Sequence, residues 1–366
     1  MGEKSLKIII AGGKTGGHLF PGIAIAQAFL RIDPETRILF VGTGDAFERK
    51  TLDRYGFAHT GISVSGIKGK GLFSKISSFA KIPKSLFQAV SIIRSFRPDL
   101  VMGVGGYSSG PVVLAARLCG ILTAIQEQNS IPGITNRILS MFCHVVFTSF
   151  AKTLGFSGRA RIIHTGNPVR LEECVAKNIF LRDTDRFNLL VTGGSQGAHS
   201  INQAILGAVE LLENKDAYNI VHQTGVKDEQ EVLKRYGAMK IKVIAQAFFE
   251  DMPGRMAAAD LIISRAGAGA ISEITALGKA SILIPYPYAA DDHQRFNAEE
   301  VVNQGAGFLI LDRDLSFKRL KETIEFLHGN PDKLCSMEKA AKGMSMPDPG
   351  RAIAETCFAM VMGKGI

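Results

Sequence analysis

His18 ends the run Ile8-Ile-Ile-Ala-Gly-Gly-Lys-Thr-Gly-Gly-His18 and stands three residues before Pro21. Two roles are open to an imidazole there. It can act as a general base for a hydroxyl within hydrogen-bond reach, or it can cap local backbone or touch a ligand. The glycines let backbone N–H groups approach an anion, which a following helix start attracts through unpaired donors and partial positive charge. A second group lies in Ser264-Arg-Ala-Gly-Ala-Gly-Ala-Ile-Ser-Glu-Ile-Thr-Ala-Leu-Gly278, where Ser272 and Glu273 are expected in the first turn of a helix. A carboxylate at that place either complements the helix dipole or accepts both hydroxyls of a ribose. A third is Asp291-Asp-His-Gln-Arg-Phe-Asn297, a dense polar run behind Pro285-Tyr-Pro-Tyr.

The elements that position these groups follow from pattern. Ile8, Ile9 and Ile10 predict a buried strand, and the apolar run from Pro21 through Phe29 predicts a helix. Further strands are expected at 37–41, 60–64, 100–104, 122–126 and 145–148, with helices near 46–55 and 112–119. Strands alternating with helices and glycine turns mean a parallel α/β sheet, whose ligands sit at the C-terminal strand ends. The second half repeats the first: Leu189-Leu-Val-Thr-Gly-Gly-Ser-Gln-Gly-Ala-His199 reproduces the strand, paired glycines and His of the opening run. Its helix is expected over 201–212, and later strands at 219–222, 242–245, 261–264, 281–285 and 307–311. We therefore expect two Rossmann-like domains at 1–165 and 187–350, a linker over 166–186, and a closing helix within 351–366.

Several chemistries are excluded or weakened. Gly13-Lys14-Thr15 resembles the end of a phosphate-binding P-loop, but the required earlier glycine position is Ile8. A dinucleotide fingerprint fails at Lys14, and Gly42-Thr43-Gly44 occupies the turn where its acid belongs. The Asp-x-Asp triplets 183/185 and 312/314 read as solvated acids, so neither a metal nor a cofactor is expected. The chain has 366 residues and a net charge of +9, which suits an anionic partner, yet it lacks zinc spacing and RNA-binding signatures. Nucleic acid is therefore not expected. Five scattered cysteines without a CxxC pair suit reduced thiols, and a first strand directly after Met1–Lys7 predicts no signal peptide. The segment from Gly66 to Arg97 interleaves seven basic residues with apolar ones and contains no acid, which suits an anionic membrane surface.

The chain resembles the MurG family, the UDP-N-acetylglucosamine transferases that complete the lipid-linked disaccharide precursor of peptidoglycan. The resemblance covers nearly the whole chain. It rests on Thr15-Gly-Gly-His-Leu-Phe-Pro21, Gly103-Val-Gly-Gly-Tyr-Ser-Ser-Gly-Pro111, Glu127-Gln-Asn129, Gly166-Asn-Pro-Val-Arg170, Gly193-Gly-Ser-Gln-Gly-Ala198 and the 264–297 block, in that order. It implies a GT-B fold: two Rossmann-like domains whose parallel sheets face each other across a cleft, the last helix crossing back to the first domain. It further implies inverting transfer of N-acetylglucosamine from UDP to the 4-hydroxyl of undecaprenyl-pyrophosphoryl-N-acetylmuramyl-pentapeptide (lipid I to lipid II).

By the family pattern, Ser195 and Arg170 would face the donor diphosphate, Phe249 would offer backbone to the uracil, and Glu273 would take the ribose. Ala268, Gly269, Ala270, Ile271 and Ser272 would line phosphate and nucleoside. Gln294, with His293 and Asn297, would read the sugar hydroxyls. Thr15, Gly16, Gly17 and Asn129 would reach the donor sugar from the other domain, with His18 as the base. The enzyme would sit peripherally on the cytoplasmic face of the inner membrane, among other wall-building proteins. Lys14 departs from the glycine usual in the family, so either a crowded backbone or an added cation is expected there. Two rivals use the same donor: a UDP-N-acetylglucosamine 2-epimerase of this fold, and a non-catalytic UDP-N-acetylglucosamine-binding protein.

Overall fold

The computed structural model describes residues 5–64, 72–169, 183, 185–239 and 241–363, with backbone alone for 72–82. The chain divides into two compact units, Met1–Val169 with Pro347–Ile366, and Arg170–Met346.

Unit 1 contains β1 (Lys7–Ala11), α1 (Gly16–Ile32), β2 (Arg37–Gly42), α2 (Ala46–Arg54), β3 (Ala58–Gly61), α3 (Leu72–Phe96), β4 (Leu100–Gly103), α4 (Ser109–Leu118), β5 (Leu122–Glu127), α5 (Ile134–Leu139), β6 (Val145–Thr148) and β7 (Arg161–His164). All seven strands are parallel, in the order β3-β2-β1-β4-β5-β6-β7. Successive side chains of a strand point to opposite faces, so Ile8 and Ile10 enter one core while Ile9 and Ala11 enter the other. All four are fully buried. Helices covering both faces explain why the strand reads as continuously apolar, and each buried Ile contributes roughly 1.5–3 kcal/mol.

Unit 2 contains β8 (Phe187–Thr192), α6 (His199–Glu210), β9 (Tyr218–Gln223), α7 (Glu229–Gly237), β10 (Lys242–Gln246), α8 (Met252–Ala258), β11 (Leu261–Ser264), α9 (Ala268–Leu277), β12 (Ala280–Leu283), α10 (His293–Asn303), β13 (Gly307–Leu309), α11 (Phe317–His328) and α12 (Pro331–Met344). Its six parallel strands run β10-β9-β8-β11-β12-β13. In both sheets the order reverses beside the strand that precedes the repeated glycine loop: between β1 and β4, and between β8 and β11. Loops at such a reversal diverge and leave a crevice, the usual ligand position in open α/β sheets.

The last helix, α13 (Pro349–Val361), belongs to unit 1. Its Ile353, Ala354 and Cys357 are fully buried in the core that holds Phe29 of α1, and the Phe29 and Phe358 rings lie 5.5 Å apart. Burial pushes the Cys357 thiol well above its ordinary value, so it acts as a packed apolar group.

Some expected boundaries move. Helix α1 begins at Gly16 rather than Pro21, with extended Thr15 as its N-cap, so the proline lies inside it. The bond it forfeits is to the carbonyl of Gly17, a residue exposed to solvent, where water can take its place. The strand expected at 60–64 lies at Ala58–Gly61, and the edge strand β7 was not expected. Helix α9 begins at Ala268, so Ser272 and Glu273 stand beyond its first turn. Among the described residues no helix is long and apolar enough to cross a membrane.

Candidate functional site

In unit 1 the chain leaves β1 through Gly12 and Gly13, with φ near +141° and +142°, and then Lys14 at φ +70°. Gly12 is held against the loop after β4: a Cβ there would stand 2.5 Å from the Gly105 carbonyl oxygen. Gly13 and Gly42 make room for Glu48, since a Cβ on either would approach its carboxylate oxygens within 2.6 Å. Glu48 is 2% exposed; Oε2 accepts from the Gly44 N–H at 2.7 Å, and Oε1 is buried without a hydrogen bond. Lys14 is exposed, and its left-handed backbone carries strain of roughly 1–2 kcal/mol.

Thr15 and Gly17 are exposed at the start of α1, and Gly16 and His18 are half-buried. The His18 ring lies over Gly105, where a Cβ would stand 2.6 Å from Nδ1. Its Nδ1 is 3.1 Å from Gln128 Oε1. Four polar residues at the end of β5 complete this rim. Glu127 is 2% exposed and organises the next loop: Oε1 accepts from the Asn129 N–H and side-chain amide, and Oε2 from the Gly133 N–H and Asn136 Nδ2. Sequence reasoning gave Glu127 and Gln128 no role. The available signal was consecutive polar side chains, 126–129, at the end of a strand that had to be buried.

In unit 2 the loop after β8 exposes Gly194, Ser195 and Gln196. Its bend is fixed from inside: the Gly194 N–H donates to Thr192 Oγ1, and the Gly197 N–H donates to the Gly194 carbonyl at 3.0 Å. Gln223, at the end of β9, donates from Nε2 to the same carbonyl at 3.0 Å and accepts at Oε1 from the Phe249 N–H at 2.9 Å. One side chain therefore ties the loop carrying Ser195 to the loop carrying Phe249. It also engages the Phe249 N–H, which leaves that residue's carbonyl as the backbone group to offer. Arg170 lies outside the described residues.

Behind this loop is a buried polar chain. Asn202 Nδ2 donates to the Thr224 carbonyl and to Asp228, and its Oδ1 pairs with His222 Nε2 at 3.0 Å. His222 Nδ1 meets the Tyr236 hydroxyl at 3.0 Å. Burial holds the His222 imidazole neutral, with its pKa pushed down to about 3. His199, the counterpart of His18 in the repeat, turns to Asp228 at 3.1 Å.

Helix α9 starts from Gly267, and a Cβ on Gly267 or Gly269 would meet nothing within 4 Å. These glycines leave open space at a helix N-terminus, with Ala268 and Ala270 adding little bulk. Ile271 is buried, and Ser272 bonds back to the Ala268 carbonyl at 2.7 Å. Glu273 is half-buried on the next turn. After β12, Gln294 accepts from the Tyr286 N–H at 3.0 Å, and His293 Nδ1 donates to the Ala290 carbonyl at 2.7 Å. Asn297 is fully buried and donates to the Ala266 carbonyl, bracing the turn before α9.

The acidic triplets are structural. Asp312 accepts from Arg265 at 2.6 Å and from Ser200 at 2.8 Å, and Asp183 accepts from Lys242 at 2.8 Å and from Arg186 at 3.1 Å. The Lys242 bond, with the Asp185 N–H, holds the Asp183 carboxyl down at about 2. Among the described residues no cluster of His, Cys, Asp and Glu could hold a metal ion.

Residues 8–148 match the glycosyltransferase family 28 N-terminal domain, and residues 188–350 match the family 28 C-terminal domain. A relative from Syntrophus aciditrophicus is 46% identical over 98% of this chain and 99% of its own. It is named UDP-N-acetylglucosamine--N-acetylmuramyl-(pentapeptide) pyrophosphoryl-undecaprenol N-acetylglucosamine transferase. Among solved structures, MurG of Acinetobacter baumannii superposes with a TM-score of 0.78 at 28% identity, over 96% of this chain and 98% of that one. The UDP-GlcNAc 2-epimerase of Neisseria meningitidis gives a TM-score of 0.68 at 14% identity, covering 99% and 100%, which is a likeness of fold alone.

Proposed function

The chain belongs to the MurG family of glycosyltransferases, and from that membership we infer how its two loop systems divide one reaction. The enzyme transfers N-acetylglucosamine from UDP-N-acetylglucosamine to lipid-linked N-acetylmuramyl-pentapeptide, in the peptidoglycan pathway. The observation that carries the division of labour is the open, glycine-flanked start of α9, with Glu273 one turn further on, following strand β11, which pairs with the strand β8 that leads into the exposed loop 194–196.

Unit 2 takes the donor. The loop around Ser195, with Arg170, faces the diphosphate; residues 268–272 line phosphate and nucleoside; Glu273 accepts the ribose hydroxyls. The Phe249 carbonyl receives the uracil imide N–H, and Gln294 with His293 reads the sugar. Asn297 acts on that site from beneath, through Ala266. Unit 1 supplies Thr15, Gly16, Gly17 and Asn129 to the sugar, and His18 to the acceptor. His18 takes the proton of the acceptor 4-hydroxyl as that oxygen bonds the anomeric carbon from the face opposite UDP, and the breaking C–O bond leaves its electron pair on UDP. Donors preorganised at the starts of α6 and α9 stabilise the departing diphosphate.

The lipid-linked acceptor implies work at a membrane. Within the basic segment from Gly66 to Arg97, residues 65–71 and the side chains of 72–82 lie outside the described residues, while Lys84 and Phe87 are exposed, Phe87 by 76%. This surface suits peripheral attachment to anionic lipid on the cytoplasmic face. Replacing Lys75, Lys81 and Lys84 with Ser should reduce binding to anionic vesicles; unchanged binding removes the assignment.

Acceptor-dependent UDP release is the decisive assay. Consumption of UDP-N-acetylglucosamine without lipid acceptor and without net UDP release would support the epimerase, and donor binding with neither consumption nor UDP release would support a silent binder. His18→Ala should lower turnover by about 100-fold or more, the usual share of a general base. Near-normal turnover would remove His18 from that role.

A further inference from the structure

Gln128 is 2% exposed, and its amide can sit only one way round. A backbone carbonyl accepts and never donates, so the Gln128 atom 2.8 Å from the Val104 carbonyl must be the NH2 group. A second chain of contacts requires the same orientation. Ser149 Oγ spends its single proton on the Glu127 carbonyl at 2.9 Å, so it must accept from Gln126 at 3.0 Å. That fixes Gln126 Nε2 towards Ser149 and turns Gln126 Oε1 to Gln128, which must present a donor. Two acceptors thus fix the Gln128 NH2 group on one side, and its carbonyl oxygen faces His18 Nδ1.

We propose that Gln128 is a positioning residue that fixes His18 in the Nδ1–H tautomer, putting the proton-accepting lone pair on Nε2. Because an amide oxygen only accepts, Nδ1 must carry the hydrogen in the 3.1 Å contact. The partner is neutral. A carboxylate there would favour the imidazolium and silence the base near neutrality, whereas an amide orients the ring without that charge. The same bond survives when Nε2 receives the acceptor's proton, so the ring need not turn during the reaction. The proposal rests on the reading of His18 as the base, but its structural core is independent of it.

The test uses the full chain labelled with [15N]histidine. The His18 signals are identified by their loss in His18→Gln, and two-bond 1H–15N correlations report which nitrogen is protonated above the titration. The expected result is Nδ1–H in the unmodified protein. Gln128→Leu should redistribute the tautomer and lower kcat roughly 10- to 100-fold, a part of what a general base supplies, with donor KM held within about twofold. Gln128→Glu should keep the tautomer while moving the acidic limb of the kcat–pH profile upward. An Nε2–H tautomer in the unmodified protein overturns the proposal whether or not any variant folds. So does a folded Gln128→Leu protein with unchanged tautomer and kcat. Should His18→Ala keep turnover while Nδ1–H is observed, the base assignment fails and the tautomer assignment stands.

Discussion

Gly194 and Gly197 occupy one loop, and both have left-handed backbone, at φ +84° and +73°. Their surroundings differ. A Cβ on Gly194 would meet nothing within 4 Å, whereas one on Gly197 would lie 2.1 Å from the Thr224 carbonyl oxygen and 2.7 Å from its carbon. Gly194→Ala therefore isolates the backbone penalty, roughly 1–2 kcal/mol. Gly197→Ala adds a displacement of about 1 Å to reach ordinary contact, and overpacking of that kind costs typically ~1–3 kcal/mol more. The total of roughly 2–5 kcal/mol should appear in urea unfolding of the full chain. The opposing loop cannot yield easily, since Gly225 meets Gln196 with equal closeness: a Cβ there would stand 2.3 Å from the Gln196 carbonyl oxygen. Moving the loop also moves Ser195, and a 1 Å misplacement can cost about 100-fold in rate. We expect kcat/KM for UDP-N-acetylglucosamine to fall much further in Gly197→Ala than in Gly194→Ala. Equal destabilisation by the two substitutions would refute the reasoning, because it would leave the Thr224 contact without effect.

Glu273→Ala should raise the KM for the donor at least tenfold and leave that for the lipid acceptor within about twofold, since one charge-assisted bond is worth about 1.5–3 kcal/mol; steady-state kinetics with each substrate varied checks it. His222 makes stability pH-dependent: below pH 6.5 the unfolded chain binds a proton that the buried imidazole refuses until about pH 3. Stability is thus full above 6.5 and falls on acidification, by about 2 kcal/mol between pH 7 and 5 from this group alone. Denaturation of the unmodified protein and of His222→Gln at both pH values should show the variant losing that share of the slope. For Lys14, Gly and Ala substitutions separate charge from backbone: if the ammonium serves the donor, both raise its KM, and if only the left-handed conformation matters, Lys14→Gly is more stable than the unmodified chain while Lys14→Ala, which keeps the Cβ, is about equally stable.

Strand positions were the most legible part of the fold. Val145–Thr148 and Leu261–Ser264 are found where their apolar runs lie, because strands buried on both faces need unbroken apolar sequence. Edge strand β7, Arg-Ile-Ile-His, has no such run and could not be seen. The start of α1 was misplaced because Pro21 carries a strong helix-start signal, whereas Gly16 and Gly17 are poor helix formers that only tertiary packing holds in a first turn. At the site, glycine loops and the residues behind them were readable because close backbone approach demands glycine. What could not be read is which polar groups bond inward. Asn297 resembles a ligand contact in sequence and is fully buried, while Gln128, legible only as part of a motif, meets His18, and Gln223 ties the loops that carry Ser195 and Phe249.

The return of α13 to unit 1 sets an order on biosynthesis. The ribosome delivers the whole of unit 2 before the helix that covers Ala24, Ala28 and Phe29 of α1. At ~5–20 residues per second, the span from Val169 to Pro347 keeps that face uncovered for on the order of 10–30 s. Unit 2 is one uninterrupted stretch, and its synthesis fills that whole interval. The nascent unit 1 has to wait with an apolar helix face open to water, which makes it the half of the polypeptide that most needs chaperone protection.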